Sequence, residues 1–183
     1  MPPEAVPITK TRVTQSRLML PTDANIHGNV HGGMIVKYID ELGGIITARH
    51  AKANTVTASI DRMHFYKPVY IGNLLILKGA INYVGRKSME VGVKVFAEDL
   101  TSGSVVHTGS CYSTFVALDR SGNTVPVPPI VPETPEEKHW YEGAKARRQR
   151  RLEDREARVR RTSLKAQKSG DVATESNIES EGH

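Results

Sequence analysis

The segment Asn25–His50, NIHGNVHGGMIVKYIDELGGIITARH, limits the possible folds more than any other part of the chain. It opens on small and polar residues ending in Gly32-Gly33, then continues as a long apolar run with a single Asp, Asp40, in its middle. Ile35, Ile39, Leu42 and Ile46 recur at the 3.6-residue period, so they form one stripe of a helix that buries that face. Asp40 falls off the stripe, beside Val36, Gly43 and Thr47, while Lys37, Glu41 and Ala48 turn further toward solvent. Gly43 and Gly44 each cost a helix interior about 1 kcal/mol relative to alanine, which close backbone approach by another element would explain. The pattern predicts a helix packed tightly on two sides, with one carboxylate at the border between its buried stripe and a cleft.

The chain has 183 residues, enough for one core of ordinary size and a tail, and too few for two comfortable domains. Its single cysteine, Cys111, excludes an internal disulfide framework and fits a reducing compartment. No run approaches 18 apolar residues, and the N-terminus lacks the order of a signal peptide, so a soluble, cytoplasmic protein is expected. The net charge of +5 is unevenly spread: residues 145–168 carry eleven Lys or Arg against three acids. That is a local basic segment rather than a basic protein.

Residues 1–8 hold three prolines and no pattern, and are expected to be disordered. A folded domain over 9–124 begins with a strand ending at Arg17-Leu18-Met19-Leu20, before Pro21, and a turn at Thr22–Asn25. After the helix, β-branched residues from Thr55 run through Met63 and Phe65 to Pro68. Further strands are predicted over Leu74–Val84, Ser88–Glu98 and Val105–Leu118, separated by turns at Gly85-Arg86-Lys87 and Thr101-Ser102-Gly103. Turns this short imply antiparallel hairpins, and the order implies an α+β plan in which a sheet curls round one helix. Residues 125–161 read as a proline-rich linker followed by a basic helix, which starts at Thr134-Pro135 with Glu137 three residues after the cap. Residues 162–183 are expected to be a disordered tail.

The fragments DANIHGNVHGG, MIVKYIDE, TVTASIDRMHFYKPV, YVGRKSMEVGVKV and STFVALDRSGNTVPVPPIVPET occur in that order. Together they resemble the hotdog-fold acyl-CoA thioesterases of the cytosolic acyl-CoA hydrolase type, over roughly residues 10–150. The resemblance implies a hotdog fold, an antiparallel sheet wrapped around one long central helix, with a charged C-terminal helix added. It also implies hydrolysis of acyl-CoA to a fatty acid and CoA, and pairing with a second copy so that sites form between protomers. Such dimers assemble into hexamers in parts of the family.

Thioester hydrolysis needs an activated water, a donor for the developing oxyanion and a dry place for the acyl chain. On residues alone Asp40 is either a solvated or salt-bridged acid or a catalytic one; the resemblance makes it the catalytic base or nucleophile. Asn25 is either a turn residue or an amide that orients substrate, and the resemblance makes it the partner of the acid across the dimer interface. Gly32-Gly33 enters a helix N-terminus, where free N–H groups suit an oxyanion; Gly33 is the expected donor, with Gly32 beside the substrate. Thr57, by default only a good strand former, matches a position that assists the nucleophile in relatives. His27 and His31 have H-x3-H spacing but no third ligand, so no metal is expected, and His31 is expected to fix the loop through a hydrogen bond.

Arg86, Lys87 and Ser88 offer two cations and a hydroxyl at a hairpin tip for the phosphates of CoA, against the plainer reading of a solvated turn. Met63 and Phe65 are candidates for the acyl tunnel or for ordinary core. No cofactor, nucleic acid or membrane partner is expected, because acids interrupt the basic helix and no aromatic residue follows Tyr141 within it. Two rival functions are a non-catalytic acyl-CoA sensor and a dehydratase on the same fold, for which His31 would pair with an acid.

Overall fold

The structure, a computed structural model, describes residues 4–178, with side chains described as far as residue 162. Helix α1 runs over Gly32–Ala51, and the expected stripe of Ile35, Ile39, Leu42 and Ile46 is buried. Its N-terminus is capped by His31, whose ring Nδ1 accepts from the Gly33 N–H at 2.9 Å. It ends at Lys52, a C-cap residue in the left-handed region.

Five antiparallel strands surround it: β2 (Val13–Leu18), β3 (Asn54–Phe65), β4 (Leu74–Val84), β5 (Ser88–Glu98) and β6 (Val105–Leu118). Their order is β2-β4-β5-β6-β3, and α1 touches all five. Strands β4, β5 and β6 have the predicted bounds, because each is closed by a short turn at both ends; β3 stops at Phe65, before Pro68. Alternate residues, among them Leu75, Leu77, Ile81, Val91, Val93 and Val95, point to the helix and are buried. The result is the α+β hotdog arrangement, a sheet closed over a central rod.

One glycine of the helix explains how closely the sheet approaches. A side chain at Gly43 would come within 2.4 Å of the Phe115 ring of β6, so only a bare α-carbon lets the strand lie there. The neighbour is a ring rather than backbone. Gly44, expected to have the same explanation, faces open space within the chain.

The two ends of the chain differ from expectation. Val6–Pro7 forms a short strand, β1, paired in parallel with Ile130–Val131, β7, and Ile8 is buried. Residues 125–135 are therefore not a free linker: Val127 and Ile130 are buried between the prolines, and the Val125 N–H bonds Ala117 O at 2.9 Å. The alternation of Val and Ile with Pro supplies apolar side chains that a composition rich in proline conceals.

Helix α2 covers Pro135–Ile178. Thr134 and Glu137 form the predicted capping box, with Glu137 N–H to Thr134 Oγ1 and Thr134 N–H to Glu137 Oε2 both at 3.2 Å. The chain divides into two compact units, Met1–Tyr141 and Glu142–His183, so the first extends past the expected boundary at 124. In the second unit the helix continues beyond the expected end near Arg161, supported by pairs such as Lys145–Glu142 and Arg160–Glu156. Residues 179–183, the end of the segment expected to be disordered, lie outside the described residues. Among the described residues no helix is long and apolar enough to cross a membrane.

The glycines make opposite predictions. Gly43→Ala must push Phe115 aside and should destabilise the fold by about 1–3 kcal/mol, although alanine is the better helix former. Gly44→Ala meets nothing in the chain and should gain up to about 1 kcal/mol. Urea unfolding of both variants checks this; equal effects or the reverse order would contradict the packing described.

Candidate active site

Two clusters of the expected residues form, at opposite ends of β3. The first is set by Gly43. Because Phe115 packs on Gly43 and is the register partner of Thr57, the strand that carries Thr57 lies against the Asp40 flank of α1. The Thr57 hydroxyl donates to Asp40 Oδ1 at 2.5 Å. Asp40 is half-buried, and its other oxygen makes no hydrogen bond among the described residues. Two turns further on, the Thr47 hydroxyl meets Thr55 Oγ1 at 2.9 Å while also bonding Gly43 O, tying helix and strand together on the same flank.

The turn Gly85-Arg86-Lys87 lies at this same end of the sheet. Ser88 is the partner of Val116, which is the partner of Val56, so the hairpin tip begins about 10 Å, two strand spacings, from the Thr57 region. Arg86 is exposed, and Lys87 Nζ reaches Thr124 Oγ1 at 3.0 Å. Both cations remain at the rim, available to an anion.

The second cluster is a cleft of about 350 Å³ that includes Asn25, Gly32 and Phe65 in its lining, with Ile35 and Val69 as apolar wall. Asn25 Oδ1 accepts from the N–H groups of His27 and Asn29 at 2.8 and 3.2 Å. Its acceptor is thus committed to the loop, and its Nδ2 is the group left to donate. Gly32 faces the Phe65 ring, which a Cβ would meet at 3.3 Å. The Gly33 N–H is occupied by His31, so of the first N–H groups of the helix it is that of Gly32 that has no acceptor in the cap. Met63 is half-buried against the core.

Thr57 and Phe65 are eight residues apart on β3, a separation on the order of 25 Å along an extended strand. Asn25 and Asp40 therefore do not meet within one chain. Among the described residues β3 is an edge of the sheet, paired only with β6, and exposes Val56, Ile60 and Phe65.

Residues 27–104 match the Thioesterase superfamily. An uncharacterised acyl-CoA thioester hydrolase of Bacillus subtilis, YkhA, is 41% identical over 135 residues, 74% of this chain and 78% of that one. The chain belongs to the hotdog-fold acyl-CoA thioesterases. Among solved members of this family, an apo-hexameric acyl-CoA thioesterase superposes with a TM-score of 0.79 at 40% identity, covering 82% of this chain and 97% of that one. The acyl-CoA hydrolase of Staphylococcus aureus, solved with butyryl coenzyme A, coenzyme A and coenzyme A disulfide, gives 0.79 at 33% identity, covering 87% and 97%. Alanine variants of that enzyme have been solved at an asparagine, an aspartate fifteen residues later and a threonine seventeen after that. The same intervals separate Asn25, Asp40 and Thr57 here.

The thioesterase fold also places residues that sequence reading passed over. Asp23 is buried, its Oδ1 accepting from the Tyr38 hydroxyl at 2.8 Å and its Oδ2 from the Leu20 N–H at 2.9 Å. The Leu20 N–H, ahead of the Tyr38 hydroxyl and the Arg17 charge, holds the Asp23 carboxyl below its usual range, while burial and then Asp23 push the Tyr38 phenol up. This pair fixes the turn that leads into Asn25 against α1. Asp61, on β3, accepts from Ser59 at 2.7 Å and Thr114 at 3.2 Å. Cys111 is pushed up to about 11, first by burial and then by Asp61 and Asp40, so it stays a neutral thiol and is no nucleophile at neutral pH. A lone acid in a turn or on a strand gives no sequence signal of its burial or its partners, which is why buried Asp23 and half-buried Asp61 went unread.

Because Asp23 titrates below its unfolded value, its contribution is fully present above about pH 4 and is lost as pH falls through its lower folded pKa. The stability difference between the native chain and Asp23→Asn should therefore shrink as pH is lowered from about 5 to about 2. Urea midpoints measured across that range check it; a constant difference would remove the carboxylate from the account.

Proposed function

We propose that the protein hydrolyses acyl-CoA thioesters to a free acid and CoA, as a homodimer joined along β3. The observation that carries this reading is the placement of Asp40 with Thr57 at one end of an edge strand and Asn25 with Gly32 at the other. Antiparallel pairing of β3 with its copy, about a two-fold axis near Asp61, sets Thr57 of each chain opposite Phe65 of the other. Each Asp40 then faces a cleft built by a second copy's Asn25 and Gly32. A long edge strand carrying Val56 and Ile60 outward is also a surface that calls for such cover.

In the shared site, Asp40, held by the Thr57 hydroxyl, takes a proton from water as the water oxygen adds to the thioester carbonyl. The oxyanion that forms is received by the Asn25 Nδ2–H group and the N–H groups at Gly32 and Gly33, the latter once the His31 ring gives way. Collapse breaks the C–S bond, and the proton held by Asp40 passes to the CoA sulfur. Arg86, Lys87 and Ser88 receive the phosphates of CoA, and Phe65 and Met63 border the acyl chain. The intervals shared with the Staphylococcus aureus variants support this assignment of roles.

The hexameric neighbours support a larger assembly, a trimer of such dimers. A cytoplasmic setting agrees with the single buried cysteine, and the basic segment of α2 is read as a solvated helix without a nucleic acid or membrane partner.

Release of free CoA from a panel of acyl-CoAs, followed with a thiol reagent, tests the reading and separates it from a sensor or a dehydratase. Asp40→Ala should lower kcat by about 100-fold or more with the fold intact, and Thr57→Ala by less. Wild-type rates in Asp40→Ala would contradict the assignment.

A further inference from the structure

The loop that carries Asn25 presents Ile26 to the outside. Ile26 is 95% exposed, the highest value for a large apolar side chain among the described residues. It lies in a turn whose backbone is tied down. The Gly28 N–H bonds Asn25 O at 3.1 Å, the Asn25 N–H bonds Asn29 O at 2.7 Å, and Asn25 Oδ1 accepts from both His27 and Asn29. Gly28 closes the turn at a φ of +82°. Such a turn holds Ile26 outward, where its own chain gives it nothing to pack on.

Gly44 is the complementary feature. It follows Asp40 by one turn of α1, about 6 Å along the helix, on the same flank. A Cβ there would meet nothing within 4 Å, whereas one at Gly43 collides with Phe115. Packing within the chain therefore does not call for glycine at 44, although it costs the helix about 1 kcal/mol relative to alanine. Ala48, half-buried, follows at the next turn, so Gly44 and Ala48 form a shallow hollow with Asp40 at one end.

The two-fold pairing of β3 with its copy decides what reaches this hollow, and the inference rests on that pairing. The axis sets the two α1 helices antiparallel. The loop that precedes the partner's α1 then extends past Asp40 toward the C-terminal end of the helix, the side of Gly44 rather than of Val36. Adjacent α-carbons are about 3.8 Å apart, so an Asn25 that reaches a substrate at Asp40 carries Ile26 to about the next helical turn.

We infer that the partner's Ile26 seats on Gly44 and Ala48 as a knob in a hollow, and that this contact registers Asn25 against Asp40. Ile26 and Gly44 are positioning residues, and symmetry repeats the contact twice in each dimer. Glycine is needed at 44 because a longer side chain would hold the partner's loop, and Asn25 with it, away from the acid.

Cross-linking tests the contact without recourse to activity. Ile26→Cys and Gly44→Cys combined in one chain should give a covalent dimer under mild oxidation, because a seated Ile26 brings the two α-carbons within the roughly 4.4–6.8 Å that a disulfide spans. Either substitution alone should leave the chains unlinked, since Cys111 is buried and its thiol is pushed up to about 11. Turnover checks the role. Gly44→Leu should lower kcat about 100-fold with little change in KM, the scale of a displacement of about 1 Å. Adding Ile26→Ala to the same chain should recover about tenfold of that loss.

No covalent product from the paired cysteines, in a protein that keeps its dimer mass, overturns the inference and leaves the shared site standing. A monomeric native protein overturns both. A loss in Gly44→Leu that Ile26→Ala does not relieve, and that grows with acyl length, gives the hollow to the acyl chain instead. Should the paired cysteines not fold, the kinetic rescue decides the matter.

Discussion

The contact of the Phe115 ring with the bare α-carbon of Gly43 governs the cluster of Asp40 with Thr57. It brings β6 against α1, and through the register it brings the neighbouring β3 within reach of the Asp40 flank. The Thr57–Asp40 hydrogen bond and the Thr47–Thr55 contact follow from that approach, since neither hydroxyl could span a wider gap. A carboxylate on the solvent side of the same helix, such as Glu41, has no strand beside it and remains an exposed partner of Lys37.

A second constraint acts on the other half of the site. The buried Asp23–Tyr38 pair and the His31 cap fix the loop that carries Asn25, so the cleft beside Gly32 is built on rigid elements rather than on a free loop. Yet this cleft and Asp40 belong to opposite ends of β3. On the function proposed, a single chain holds two incomplete halves, and the outer edge of β3 between them is the element that joins two copies. Fold, edge and chemistry become one problem under this reading.

Much of this was legible in the sequence where local patterns are strong. The apolar stripe from Ile35 to Ile46, three strands closed by short turns and the capping box at Thr134 all follow from periodicity and turn chemistry. Asp40 stood out as an acid off the buried stripe. What escaped was information carried by tertiary contacts. Val127 and Ile130, between the prolines of 125–135, are buried, and Val6 pairs with Ile130, because long-range pairing outweighs a composition that suggests a linker. Gly43 and Gly44 look alike in sequence and differ entirely in what surrounds them. The bulge at Asn82 has no local signature either.

The most direct measurement co-expresses Asn25→Ala and Asp40→Ala chains under separate tags and assays the isolated mixed assemblies for release of CoA. If each site takes Asp40 from one protomer and Asn25 from its partner, a mixed dimer holds one intact site and one doubly altered site, and should recover about half of the wild-type rate. Mixed dimers no more active than either variant alone would contradict a site shared across the β3 edge.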